Sequence, residues 1–201
     1  MPQPVDVFFS ADIESDGPVP GAYSMLSFAL VVAGRFDGVR FEPPASYDDA
    51  LELELRPVTA RFDAKALAVS GLSRERLLRE GREPGEAMRE AAGWVRERVR
   101  ADGATPVLVG YPLGFDWAFL SYYFDVYGGG SPFGHSRGFD LKTAVALTLG
   151  IPIAQAGRAG LPATLRGDQP HTHTALDDAI EQAQVLGKLF AARGASRVGA
   201  A

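Results

Sequence analysis

The run Val5-Asp6-Val7-Phe8-Phe9-Ser10-Ala11-Asp12-Ile13-Glu14 is apolar for most of its length and ends in two carboxylates. It reads as a buried strand, and side chains at i and i+2 of a strand share a face. Asp12 and Glu14 would then stand side by side where they repel each other and lose hydration. A divalent metal with oxygen ligands relieves both costs. The competing reading of an isolated Asp-x-Glu is a strand that ends in polar residues and emerges into solvent. The rest of the chain has to decide between them.

Composition narrows the choices. The chain has 201 residues, enough for one domain with a full-sized core. There are no cysteines, so any metal must be held by oxygen or imidazole. No apolar stretch approaches the roughly 18 residues of a membrane span and no signal peptide opens the chain, so a cytoplasmic protein without a membrane partner is expected. The net charge of −5 argues against a protein that coats nucleic acid by bulk charge. It leaves room for an enzyme that reaches phosphate through bound cations.

Strands are expected at 5–13, 25–33 and 51–55, joined by short connections as an antiparallel meander. The segment 64–80 reads as one or two short helices broken at Gly71, with Ser73 as an N-cap. Residues 84–100 form an amphipathic helix with Met88, Ala92, Val95 and Val99 on one face. A fourth strand at 105–110 is apolar throughout, as a central parallel strand is. An aromatic helix, 115–127, follows it. Phe139-Asp140 gives a short fifth strand, and Asp140 caps a helix over 141–149. Residues 151–172 read as a long functional loop. A last helix covers 174–193, leaving 194–201 as a flexible tail after a 1–193 domain. Arg74, Arg76, Arg79 and Arg82 alternate with acids, which suggests a solvated helix face. Phe8, Phe9, Phe28, Phe119, Tyr122 and Phe124 are mostly core by position.

Two further acidic positions and a histidine complete a pattern. Asp116 opens the helix after the fourth strand, and ligands in open α/β sheets bind at the C-terminal ends of strands. His173 and Asp178 open the last helix in the run His173-Thr174-Ala175-Leu176-Asp177-Asp178. Asp12-Ile13-Glu14, then Phe115-Asp116, then His173-x-Ala175-x-x-Asp178 resemble the three motifs of the DEDDh 3′→5′ exonuclease superfamily, which includes polymerase proofreading subunits, oligoribonuclease and RNase T. The segment from Phe62 through Leu77 resembles the corresponding stretch of proofreading subunits. Three motifs in one order are far more specific than any one of them. The second motif departs from the common His-Asn-x-x-Phe-Asp, reading Tyr111-Pro112-Leu113-Gly114-Phe115-Asp116, and Ser70 stands where many members have His.

The resemblance implies an RNase H-like α/β fold, a mixed five-stranded sheet in the order 3-2-1-4-5 with helices on both faces. It implies two divalent cations, Mg²⁺ or Mn²⁺, held by Asp12, Glu14, Asp116 and Asp178, with His173 as general base. His171 and Asp177 are off register for those roles. Substrate contacts are expected from Ser15, Asp16 and Gly17 just after the first pair, from Met25 and Leu26 as a wedge against the terminal base, and from Ser70, Phe115, Arg158 and Arg166. The implied reaction is hydrolysis of single-stranded DNA or RNA from the 3′ end to 5′-monophosphates, by a chain acting alone, as a homodimer or with a polymerase. Two rivals stand beside it, a degenerate nucleic-acid-binding module and a phosphodiesterase for short oligonucleotides.

Overall fold

A computed structural model describes residues 4–101, 103–168 and 174–198. Strand β1 (Asp6–Ser15) is the centre of the sheet. It pairs antiparallel with β2 (Met25–Phe36) on one side and parallel with β5 (Thr105–Gly110) on the other. Beyond β5 lies β6 (Gly138–Asp140), also parallel. Beyond β2 lie two short strands, β3 (Phe41–Glu42) and β4 (Ala50–Glu54), each antiparallel to a different stretch of it. The order expected from sequence is therefore present as β4-β2-β1-β5-β6, with β3 added. That strand is two residues long next to Pro43 and Pro44, too short to leave a periodic signal.

Helices cover both faces. α3 (Pro84–Arg100) and α4 (Leu113–Val126) pack with Val7, Phe9, Ala11 and Ile13 of β1 in one core. α5 (Leu141–Leu149) and α6 (Ala175–Val198) pack with Phe8 in the other. Because β1 side chains alternate, Asp12 and Glu14 share the Phe8 face, the one α6 covers. α6 is pinned at its far end by Phe190, whose ring stacks on Phe41 at 4.4 Å and meets Phe8 edge-on at 5.7 Å. Its other end is thereby delivered to Asp12 and Glu14. The helix continues past Arg193 to Val198, over part of the stretch expected to be a flexible tail, and residues 195–198 include neither Gly nor Pro.

The capping signals in the sequence are realised. α1 (Ala64–Ser70) ends at Gly71 in the left-handed conformation, and α2 (Arg74–Glu80) starts on Ser73, whose side chain accepts from the Arg76 N–H. Asp140 accepts from the N–H groups of Thr143 and Leu113, at 2.7 and 2.8 Å, so it ties the start of α5 to the start of α4. Arg79 and Arg82 are exposed, as a solvated face predicts, but the other two arginines of the run are held by partners across the fold. Arg76 grips Glu54 with two 2.6 Å bonds, and Arg74, with 12% of its side chain exposed, pairs with the fully buried Asp16. Periodicity could not show this because the partner lies across the fold. Arg74→Met, which leaves Asp16 a buried charge without its cation, is expected to cost about 3–5 kcal/mol in a urea melt.

Candidate active site

Three elements bring the acids together. Asp12 and Glu14 come from the end of β1, and Asp178 from the first turn of α6. One carboxylate oxygen from each lies within 4.8 Å of the other two. Asp116, in the first turn of α4, is 6% exposed and stands beside this trio. Its charge is the strongest carboxylate repulsion acting on Asp12. Asp116 and Asp178 both sit where helix N-termini favour negative charge, which offsets part of the crowding.

The remainder of the crowding appears as displaced proton affinity. Burial, then repulsion from Asp116 and Asp178, holds Asp12 well above the usual carboxylate range, with Arg158 pulling it back. Burial and then Asp178 push Glu14 up to about 7. Burial pushes Asp116 up to about 8, against the opposing pull of the Ile13 N–H. Oxygen donors that cannot all ionise together are what a hard divalent cation neutralises, so the donor set fits such an ion. The sign of the pH dependence follows. A carboxyl whose folded-state pKa is raised binds more protons folded than unfolded, so its contribution is complete below about pH 4 and is lost as pH rises through about 7 to 8. Melting temperature in chelator is therefore expected to fall between about pH 5 and pH 8.5, and saturating Mg²⁺ to remove that fall.

Larger hollows lie elsewhere, about 310 Å³ beside Phe36, Phe41 and Phe190 and about 420 Å³ beside Leu113, Trp117 and His135. Neither touches the carboxylate trio, and chemistry, not volume, locates the site. The cleft that does touch it, about 110 Å³, is lined by Glu14, Ser27, Glu52, Glu54, Ser70, Leu72, Thr174 and Ala175.

No model of a known protein family matches the sequence. The 3′–5′ DNA exonuclease Cap18 of Escherichia coli is 36% identical to it over 184 residues, 90% of each chain. The chain belongs to that 3′–5′ exonuclease family. Solved structures agree on the fold. Cell-death related nuclease 4 superposes with a TM-score of 0.65 at 12% identity, over 94% of this chain and 64% of its own. E. coli exonuclease I in complex with a dT13 oligonucleotide gives 0.63 at 15% identity, over 98% of this chain and 43% of its own. The nuclease domain of 3′hExo, a DEDDh family member bound to rAMP, gives 0.59 at 12% identity, over 96% and 92%. The exonuclease thus spans less than two thirds of the first two structures.

The residues expected around the site divide sharply. Ser70 lines the cleft with Glu14, and the Phe115 ring is 42% exposed next to Asp116 in sequence. Arg158 reaches the cluster itself, 3.8 Å from Asp12 Oδ1. Met25 and Leu26 are fully buried, so they cannot wedge against a base. The Met25 N–H donates to Tyr123 Oη at 2.8 Å, deep in the core. Ser15 ends β1, Asp16 and Gly17 bend away after it, and all three are buried. Ser15 Oγ donates to the Gly17 carbonyl at 2.8 Å, Asp16 accepts from the Ser24 N–H at 2.6 Å, and a Cβ on Gly17 would fall 2.0 Å from the Tyr23 ring. The side chains of Ser15 and Asp16 build the wall, which leaves the backbone of this stretch as the part next to Glu14. Arg166 donates from Nε to the Leu161 carbonyl at 2.8 Å and braces its own loop. His173 and His171 lie outside the described residues.

Sequence reasoning missed Gln182, Glu181 and Tyr111. Gln182 is fully buried, and its Nε2 donates to Asp12 Oδ1 at 2.8 Å. It sits one turn after Asp178, and the i, i+4 spacing from a metal-ligand candidate was the available signal. Gln182→Leu is expected to free Asp12 to rotate, lowering kcat about tenfold with little change in KM. Steady-state kinetics on an oligonucleotide would check it.

Proposed function

We propose that the exonuclease removes nucleotides one at a time from the 3′ end of single-stranded DNA in the cytoplasm, releasing 5′-monophosphates with the help of Mg²⁺ or Mn²⁺. The convergence of Asp12, Glu14 and Asp178 within 4.8 Å carries this reading. The 36% identity to an enzyme named as a 3′–5′ DNA exonuclease supports DNA as the substrate.

Asp12, Glu14 and Asp178 would hold one divalent cation, and Asp116 would support a second beside Asp12. Such ions, when bound, stabilise the charge that develops on the phosphoryl oxygens and the leaving oxygen and lower the pKa of a bound water. The chain's own groups do the rest. His173 takes a proton from the water that attacks phosphorus; an imidazole with a pKa near ~6.5 suits that task near neutrality. The bond from phosphorus to the 3′ oxygen of the penultimate nucleotide breaks, that oxygen takes up a proton from solvent water, and the phosphate stays on the 5′ oxygen of the released nucleotide. The exposed Phe115 ring offers a stacking face for a base. A net charge of −5 repels the nucleic-acid backbone at long range, so grip on phosphate depends on the cations.

The test is an end-labelled oligonucleotide of each sugar type, incubated with Mg²⁺ or Mn²⁺. A one-nucleotide ladder from the 3′ end of the DNA is expected. Cleavage of dinucleotides alone would favour a short-oligomer phosphodiesterase, and binding without products a degenerate module.

A further inference from the structure

The acidic cluster has a cation built into its wall. Arg158 lies on the 3-10 turn Arg158–Gly160, with Nη2 3.8 Å from Asp12 Oδ1 and Nε 3.2 Å from Glu181 Oε2. Its side chain is only 25% exposed, and its guanidinium lies 5.9 Å from the centre of the Tyr111 ring. The turn is fastened on both sides. Tyr111 Oη donates to the Ala156 carbonyl at 2.8 Å, and Leu161 is buried. Gly160 is required there, because a Cβ would lie 2.1 Å from the Gln155 carbonyl oxygen. Arg158 is thus aimed by rigid backbone at two carboxylates, an arrangement that differs from a surface arginine waiting for phosphate.

Resting on the reading of Asp12, Glu14 and Asp178 as a cation site, we infer that Arg158 is a positioning residue, the internal counter-ion of the acidic cluster, and that Glu181 limits its closure on Asp12. A fixed positive charge next to crowded carboxylates stabilises them before a cation arrives, and repels the cation when it comes. Arg158 and Glu181 therefore set cation affinity in opposite directions. Losing Arg158 weakens the metal-free protein and tightens metal binding. Losing the Glu181 charge lets Arg158 settle on Asp12 and weakens metal binding.

The experiment is Mn²⁺ titration by calorimetry, with melting in chelator alongside, for the wild type, Arg158→Gln, Arg158→Lys and Glu181→Gln. Arg158→Gln is expected to melt lower in chelator, to gain more from Mn²⁺, and to bind it on the order of tenfold more tightly. Arg158→Lys keeps the charge and is expected to restore the wild-type affinity. Glu181→Gln is expected to bind several-fold more weakly. An Arg158→Gln affinity that is unchanged or weaker overturns the inference. Should that variant fail to fold, an unchanged or tighter Glu181→Gln affinity overturns it, and a weaker one supports it. A wild type that binds no Mn²⁺ takes down the cation site itself, an outcome separate from altered variants of a protein that binds.

Discussion

Asp12→Asn is expected to cut turnover by at least about a thousandfold while raising the melting temperature of the metal-free protein at about pH 8. The two signs come from one geometry. Asp12 shares its site with Glu14 and Asp178 and is repelled most strongly by Asp116. Replacing it by a neutral isostere removes that repulsion and leaves an oxygen to accept from Gln182 Nε2, so the fold relaxes. The same change removes the acid common to both proposed ion positions. Metal ions contribute several kcal/mol of transition-state stabilisation, and each 1.36 kcal/mol is tenfold in rate. A single-turnover assay and a thermal melt in chelator, on the same preparation, read both effects. A variant that lost activity and also melted lower would point to a structural role for Asp12 instead.

His173→Ala is expected to lower kcat by roughly 10²–10⁴, the range for removing a general base, with Mn²⁺ affinity nearly unchanged. The shape of the pH–rate profile separates a base from a bystander. The acidic limb set by an imidazole near ~6.5 should disappear in the variant, leaving the limb set by the carboxyls. Glu14 and Asp116, pushed up to about 7 and about 8, titrate close by, and a cation must displace their protons before it binds. The profile is therefore best measured at saturating metal, where their titration is suppressed. A variant that keeps the wild-type acidic limb would assign the proton to another group.

How much of this was written in the sequence depends on whether the information was local. The β1 alternation that puts Asp12 and Glu14 on one face is local, and so are the Gly71 and Ser73 signals that end one helix and begin the next. The order of the three motifs then placed Asp116 and Asp178 without any contact information. What sequence could not supply was the direction of side chains in turns. Asp16 reads as a polar residue next to the site, yet it is fully buried against Arg74, 58 positions on. Met25 and Leu26 begin a strand near the site, but their strand is central and both sink into the core. Arg158 was legible only as a cation in a loop leading to the third motif; its neighbours on α6, Glu181 and Gln182, became visible when the helix was seated on the sheet. The loop itself is held by the buried Ala156, Leu161 and Leu165, too sparse a set to show a period.

The comparison structures differ greatly from this chain in sequence while keeping the backbone, at 12–15% identity and TM-scores of 0.59 to 0.65. That pattern is expected when different well-packed apolar sets can hold the same backbone. The packing that does so here is the Phe8, Phe41 and Phe190 contact at the far end of α6, which any well-packed apolar set could replace.

The most direct test is an anomalous-difference map from crystals grown with Mn²⁺. A peak within coordination distance of Asp12, Glu14 and Asp178, lost in Asp178→Asn together with activity, is the expected result. Manganese bound only away from these three residues in an enzyme that still shortens DNA would contradict the account.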